Sequence, residues 1–212
     1  MSSREAILEK LHHAVPDTIN KNIITMPEQR PGDADVFTAR ATAAGARVTT
    51  TKPSEAAEAI RSVLQETGCQ SIILSEEKII KTLEVQSIAS DLGIECRYTN
   101  DFPGEAYRRN IFKVQGGISG CDYALADSGS LVILHNYENQ RLISLAPETY
   151  IGIVKTSQML KDRFDLASLL EKGDKTAAVT FITGVSRTAD VALQVVLGMH
   201  GPRQVYIILI ED

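Results

Sequence analysis

The sequence predicts an α/β protein with a mostly parallel central sheet and helices on both faces. Three observations lead there. From residue 46 onward, short β-branched runs alternate with segments of helical apolar period. The gaps between successive runs are long enough for the crossover helix that parallel strands need. The closing run, Gln204-Val205-Tyr206-Ile207-Ile208-Leu209-Ile210, is too apolar for an exposed edge and predicts a central or well-covered strand.

The elements follow in order. Ile7, Leu8, Leu11 and Val15 form a helical stripe over residues 4–15. Residues 16–37 hold Pro16, Pro27, Pro31 and Gly32 with little periodicity. They predict an irregular arm, so residues 1–37 are set apart from an α/β domain at 38–212. The arm could also form an ordered clamp or a partner surface. Ala46–Thr50 predicts a strand. Pro53 suits a helix's first turn, Ala56, Ala57, Ile60, Val63 and Leu64 line one face, and Gly68 ends the helix. Ser71–Leu74 predicts the second strand, residues 76–91 a helix stopped by Gly93, and Ile94–Tyr98 the third strand. Residues 104–118 predict a helix, and 122–126 with 130–135 a strand pair hinged at Asp127-Ser128-Gly129. Further strands are expected at Tyr150–Val154 and 177–182, and helices at 157–172 and 187–199. No repeat or low-complexity segment interrupts this order.

Composition narrows the function. With 212 residues, 43% of them hydrophobic and 23% charged, the chain reads as one ordinary domain with a small appendage. A net charge of −5 and a pI near 5.4 argue against nonspecific nucleic-acid binding, which needs a cationic footprint. A small anionic ligand stays open, because one arginine can hold it. No apolar run approaches the roughly 20 residues that cross a bilayer. Met1-Ser2-Ser3-Arg4-Glu5 leads into an amphipathic helix rather than a signal peptide, so a cytoplasmic protein is expected. Cys69, Cys96 and Cys121 are odd in number and widely spaced, with no C-x-x-C. Neither a disulfide framework, a metal site nor an iron–sulfur cluster is expected in this chain, and buried free thiols are. His12, His13 and His135 have no metal-ligand spacing.

Four segments could carry chemistry. In Asp127-Ser128-Gly129-Ser130, the residue types suit a tight turn. They equally suit an anion-facing nest of hydroxyls and backbone N–H groups, with Asp127 as orienting group or general base. In Arg141-Leu142-Ile143-Ser144-Leu145-Ala146-Pro147-Glu148, Arg141 could clamp a carboxylate or phosphate through two parallel bonds. It could as easily pair with Asp127 or Glu148. Gly184-Val185-Ser186-Arg187-Thr188-Ala189-Asp190 follows a buried-type run and is expected to open a helix. That position would place Ser186 and Thr188 as caps or ligand donors at the carboxyl end of a strand. Leu197-Gly198-Met199-His200-Gly201-Pro202 contains a helix stop, with His200 as a terminal cap or an acid–base group. A P-loop, a G-x-G-x-x-G fingerprint and a G-x-S-x-G elbow are all missing from the sequence.

In their order and spacing, these four segments resemble the lactate-utilization protein C family, the LUD-domain group, over roughly residues 40–212. The family's hairpin usually has threonine where Ser128 and Ser130 stand, and His-Ile often stands where this chain has Tyr150-Ile151. The resemblance implies a fold similar to the sugar-phosphate isomerase and CoA-transferase superfamily. It also implies a place in bacterial oxidation of lactate to pyruvate, beside iron–sulfur lactate-utilization proteins. This chain would be the cluster-free member, binding a small anion or a partner subunit. A stand-alone enzyme for a phosphosugar or acyl-CoA is the alternative by fold analogy, and a pure interaction module with residues 1–37 as docking arm is the third. Catalytic candidates are Asp127, Glu148 and His200. Binding candidates are Ser128, Gly129, Ser130, Arg141, Ser186, Arg187, Thr188 and Asp190. All are expected to converge at one end of the sheet.

Overall fold

The computed structural model describes residues 30–102, 105–135, 141–172, 176, 178–189, 195–198 and 200–212. The expected helix over 4–15 and most of the arm lie outside these residues. The described chain opens with a helix that the sequence reading did not contain, α1 (Ala34–Ala43), capped by Asp33, whose carboxylate accepts from the N–H groups of Asp35 and Val36. Only Phe37 and Ala41 of this helix are buried, too few apolar positions to show a period in sequence.

Next come β1 (Arg47–Thr51), α2 (Ala56–Thr67) and β2 (Ser71–Leu74). Gly68 ends α2 in the left-handed region, as its position predicts. The helix expected over 76–91 is two helices, α3 (Lys78–Thr82) and α4 (Val85–Asp91), broken where Glu84 takes φ 50°. After β3 (Glu95–Tyr98), the helix expected over 104–118 is also corrected. α5 (Glu105–Asn110) runs into a 3-10 turn at Ile111–Lys113, and Gly116–Gly120 is a strand, β4. Its sequence, Gly-Gly-Ile-Ser-Gly, shows almost no strand propensity. Crowding explains the glycines. A Cβ on Gly117 would strike the Ile143 carbonyl, and one on Gly120 would lie 2.8 Å from Ile79 Cγ2.

The expected hairpin forms as β5 (Tyr123–Leu125) and β6 (Ser130–Leu134). Beyond it lie β7 (Thr149–Lys155), β8 (Met159–Leu160), α6 (Arg163–Lys172) and β9 (Val179–Ile182). The helix expected over 187–199 is contradicted at both ends. β10 (Arg187–Ala189) and β11 (Val195–Leu197) pair antiparallel. Thr188, Val195 and Val196 are β-branched and stiff at χ1, which favours the pleated form. The strand pairing continues as Gly198 N donates to Ser186 O at 3.0 Å. β12 (Gln204–Ile210) closes the chain.

Six strands form one all-parallel sheet in the order β1-β12-β7-β4-β2-β3. The closing strand is interior, as its composition predicts. One face packs Ile72, Leu74, Ile118, Ile151, Ile153 and Ile208 against α2, α3 and α4. The other is covered by α1 and α5, together with a second, four-stranded mixed sheet in the order β8-β5-β6-β9. Leu131 and Ile133 of that second sheet meet Tyr150, Val154, Ile207 and Leu209 of the first. The hairpin therefore lies over the central sheet rather than within it. No described helix is long and apolar enough to cross a membrane.

Candidate functional site

Because the central strands are parallel, all their amino ends lie on one side. Thr149 opens β7 and pairs with Gln204, which opens β12. Just ahead of both, the N–H groups of Arg203 and Gln204 donate to the Glu148 carbonyl at 2.7 and 3.1 Å. The Glu148 carboxylate lies 3.7 Å from the Arg203 guanidinium and is 72% exposed. Of the partners weighed for Arg141, Glu148 is therefore engaged with another arginine. Ser186 N donates to Pro202 O at 2.9 Å, which ties the third segment to the fourth at the same end.

The remaining ties come from α1. Ala44 and Gly45 follow this helix and precede β1, whose Arg47 pairs with Tyr206 of β12. Arg187 Nη2 donates to Ala44 O at 3.1 Å, so this guanidinium satisfies a carbonyl at the helix's end. Gly184, at φ 68°, lies directly on Ala44 O, and a Cβ there would collide with it. Gly129 at φ 67° presses on the backbone of Arg40 and Ala41 in the same way.

The Asp127–Ser130 segment is a turn. Gly129 N donates to Leu125 O at 2.9 Å and Asp127 N to Lys161 O at 3.0 Å, so both backbone donors are spent inside the fold. A hydroxyl chain remains. Ser130, 3% exposed, donates to Ser128 Oγ at 2.9 Å and lies 2.6 Å from Thr183 Oγ1. A hydroxyl has one proton. With that of Ser130 given to Ser128, Thr183 donates to Ser130, and the half-buried Ser128 keeps a proton for an outside acceptor. Asp127 itself is exposed.

Arg141 opens a 3-10 turn, Arg141–Ser144, and is exposed. Among the described residues it has no ion-pair partner. Its neighbours Leu142, Leu145 and Ala146 form one wall of a cleft of about 380 Å³, and Glu148, Gly198, His200 and Gly201 form another, with Phe112 at the rim. The second and fourth segments thus meet across a cleft. The third ties to the fourth, and the first meets Thr183 and α1 behind them. The ties among the second, third and fourth segments lie at the amino ends of the parallel strands, whereas the expectation for the third was the carboxyl end of a strand. The first segment's contacts are with Thr183, Lys161 and α1 rather than with the residues lining the cleft. With no helix after Ser186 in the described residues, the helix-cap readings of Ser186, Thr188 and His200 fall as well. Thr188 is a backbone partner of Val196, and Asp190 lies outside the described residues.

Sequence reasoning missed a second polar cluster, at the carboxyl ends. Leu74 pairs with both Tyr98 and Ile118, and the next residues, Thr99, Ser75 and Ser119, are each fully buried. Ser75 Oγ donates to Glu77 Oε2 at 2.8 Å, and Ser119 Oγ lies 2.8 Å from the Tyr150 hydroxyl. Thr99 Oγ1 has no partner among the described residues. Burial drives the Tyr150 hydroxyl well above its usual pKa, and it raises the neighbouring Cys121 thiol too. Here the chain steps outward from β2 to β3 and then back across to β4, the reversal at which open α/β sheets bind ligands. The signal available in sequence was a single serine closing the apolar run of β2. Among the described residues, no three His, Cys, Asp or Glu side chains group as a metal site.

Comparison with known proteins places the chain. A LUD domain family model matches residues 34–210. A protein named lactate utilization protein C from Bacillus pumilus (strain SAFR-032) is 29% identical over 175 residues, 78% of this chain and 73% of that protein. An uncharacterized protein, YkgG, from Escherichia coli (strain K12) is 31% identical over 170 residues, 76% of this chain and 72% of its own. The match to a lactate utilization protein C from Anoxybacillus flavithermus, 34% identical over 107 residues, spans 46% of that protein's length. In structure, the chain is similar to a DUF162 family protein from Deinococcus radiodurans, with a TM-score of 0.59 at 18% identity over 83% of this chain and 94% of that one. The four ordered segments, the six-stranded parallel sheet and the match over residues 34–210 together make this chain a member of the LUD-domain family.

Proposed function

We propose that this protein is a cluster-free component of a bacterial system that oxidises lactate to pyruvate through iron–sulfur partner proteins. Its role is to bind a small anion or a partner subunit at the amino-end cleft. Relatives that carry the name lactate utilization protein C support the system. The cleft is the observation that carries the role. Leu142, Leu145 and Glu148 on one segment and Gly198, His200 and Gly201 on another, about 50 residues apart, share its walls. Arg141, next in sequence to Leu142 of the cleft wall, brings an exposed guanidinium to this region, suited to a carboxylate. Asp127, Glu148 and His200 are all exposed. Acid–base chemistry gains from water exclusion, so binding suits these positions better than catalysis does.

A chromosomal deletion tests the reading. Loss of growth on lactate, with growth on pyruvate intact, is the expected result. Normal growth on lactate, in a strain whose iron–sulfur partner genes are essential for it, would end the proposal. The alternative, an enzyme for a phosphosugar or acyl-CoA, draws its support from the buried hydroxyls and Glu77 at the carboxyl ends. A thermal-shift screen separates the two, because only the enzyme reading expects stabilisation by phosphosugars or CoA esters.

A further inference from the structure

The exposed ridge beside the amino-end cleft has charge and shape that no proposed anion site requires. Phe112 is 67% exposed, the most exposed large hydrophobic residue among those described. It belongs to the 3-10 turn Ile111–Lys113, which continues α5. Tyr107 and Ile111 on the inner side of this segment are buried against Ile73 and Ile143, so the ridge is anchored. Arg108 and Arg109 sit in the last turn of α5 and Lys113 follows Phe112 directly, so three exposed cations lie within four residues of the exposed ring in sequence. Arg141 stands nearby, on the turn whose Ile143 joins the same small core.

Arg108, Arg109, Lys113 and Arg141 are all exposed, and none has an ion-pair partner among the described residues. By contrast, Arg61, Arg97 and Arg203 each face a carboxylate. The nearby acidic groups are Glu105 in the first turn of α5, Glu148, already held by Arg203, and Glu95, which lines a hollow together with Lys113 and is held by Arg97 at 3.0 Å. Four unpaired cations around one exposed aromatic residue, on a chain of net charge −5, form a segregated basic patch. Phe112 lines one hollow, and its chain neighbour Lys113 lines another. One is the cleft of about 380 Å³ with its Leu142, Leu145 and Ala146 wall, and the other is a hollow of about 370 Å³ lined in part by Phe102, Asn110 and Lys113.

We propose that Arg108, Arg109 and Phe112, with Arg141 beside them, form the docking surface for a protein partner whose surface presents carboxylates around an apolar side chain. The apolar side chain enters the cleft against Leu142, Leu145 and Ala146, and the carboxylates meet the four cations. An exposed aromatic residue flanked by arginines is the composition that dominates binding energy at protein interfaces. A small free anion would need the guanidinium groups alone and would leave Phe112 without a role.

This inference rests on the preceding reading for the identity of its probe, the purified iron–sulfur protein with a LUD domain from the same lactate-oxidising set. Titration calorimetry at low and high salt measures its Kd for the intact chain. The expected result is binding that weakens about tenfold or more as salt is raised, because the contacts are charged. Phe112→Ala, and separately Arg108→Glu with Arg109→Glu, should each weaken Kd about tenfold with unchanged melting temperature. Lys78→Glu, an exposed cation at the other end of the sheet, should leave Kd unchanged. If the wild type binds and the ridge variants bind equally well, the docking surface is wrong while the functional reading stands. If the wild type does not bind the probe at all, that reading fails and takes this inference with it.

Discussion

Gly129 holds a left-handed φ of 67° against the backbone of Arg40 and Ala41, so two separate constraints exclude a side chain there. Gly129→Ala is expected to cost about 2–4 kcal/mol, combining φ strain with a backbone collision, and urea unfolding would measure it. Ser130→Ala breaks the Thr183–Ser130–Ser128 hydroxyl chain and should cost about 1 kcal/mol, read by the same experiment. Thiol chemistry gives a further prediction. Burial, with Asp101 adding to it, pushes Cys96 up to about 12, and burial raises Cys121 as well. Both thiols should therefore resist an aromatic disulfide reagent at pH 8 in the folded protein and react once it is unfolded. Rapid modification of either in the native state would contradict their placement.

At the scale of elements, the strands were legible where side chains carry the pattern. Ser71–Leu74 and Gln204–Ile210 match the expected bounds, because β-branched and apolar residues fill both faces of a covered parallel sheet. β4 was illegible because its glycines answer to distant neighbours, Ile143 and Ile79, rather than to local propensity. α1 was missed because two buried residues show no period, and β10 and β11 because valines spaced along 191–196 also satisfy a helical period. The candidate site shows the same division. The residue types of its four segments were readable, while their arrangement at the amino ends depended on which strands pair. The break between α3 and α4 is testable on its own. Glu84 is exposed and sits at φ 50°, where a Cβ is strained. Glu84→Gly should raise stability by about 0.5 kcal/mol, the strain relieved less the added freedom of the unfolded chain. A lower melting temperature would mean that the Glu84 side chain contributes more than its backbone costs.

For the whole molecule, acid stability follows from carboxylates that hold loops together. For Asp212, burial acts upward, but bonds from the Ser157 N–H and hydroxyl, Lys155 and Thr156 outweigh it and bring the group to about 2. For Asp162, burial again acts upward, and it is outweighed by the N–H groups of Phe164 and Asp165 and by Arg30, leaving the group below its usual 3.8. A depressed carboxyl stabilises the fold fully above its unfolded pKa and loses that contribution as pH falls through the folded value. Melting temperature should therefore be flat just above pH 5 and fall below pH 4, with the Asp212 share disappearing toward pH 2. Asp212→Asn should shrink that acid limb. The central claim concerns the amino-end cleft, and complementation tests it most directly. A deletion strain carrying the wild-type gene should regain growth on lactate. The same strain carrying Arg141→Ala with His200→Ala should fail to grow on lactate, although the variant accumulates and melts like the wild type. Full growth with that folded variant would contradict the claim that the cleft carries this protein's function.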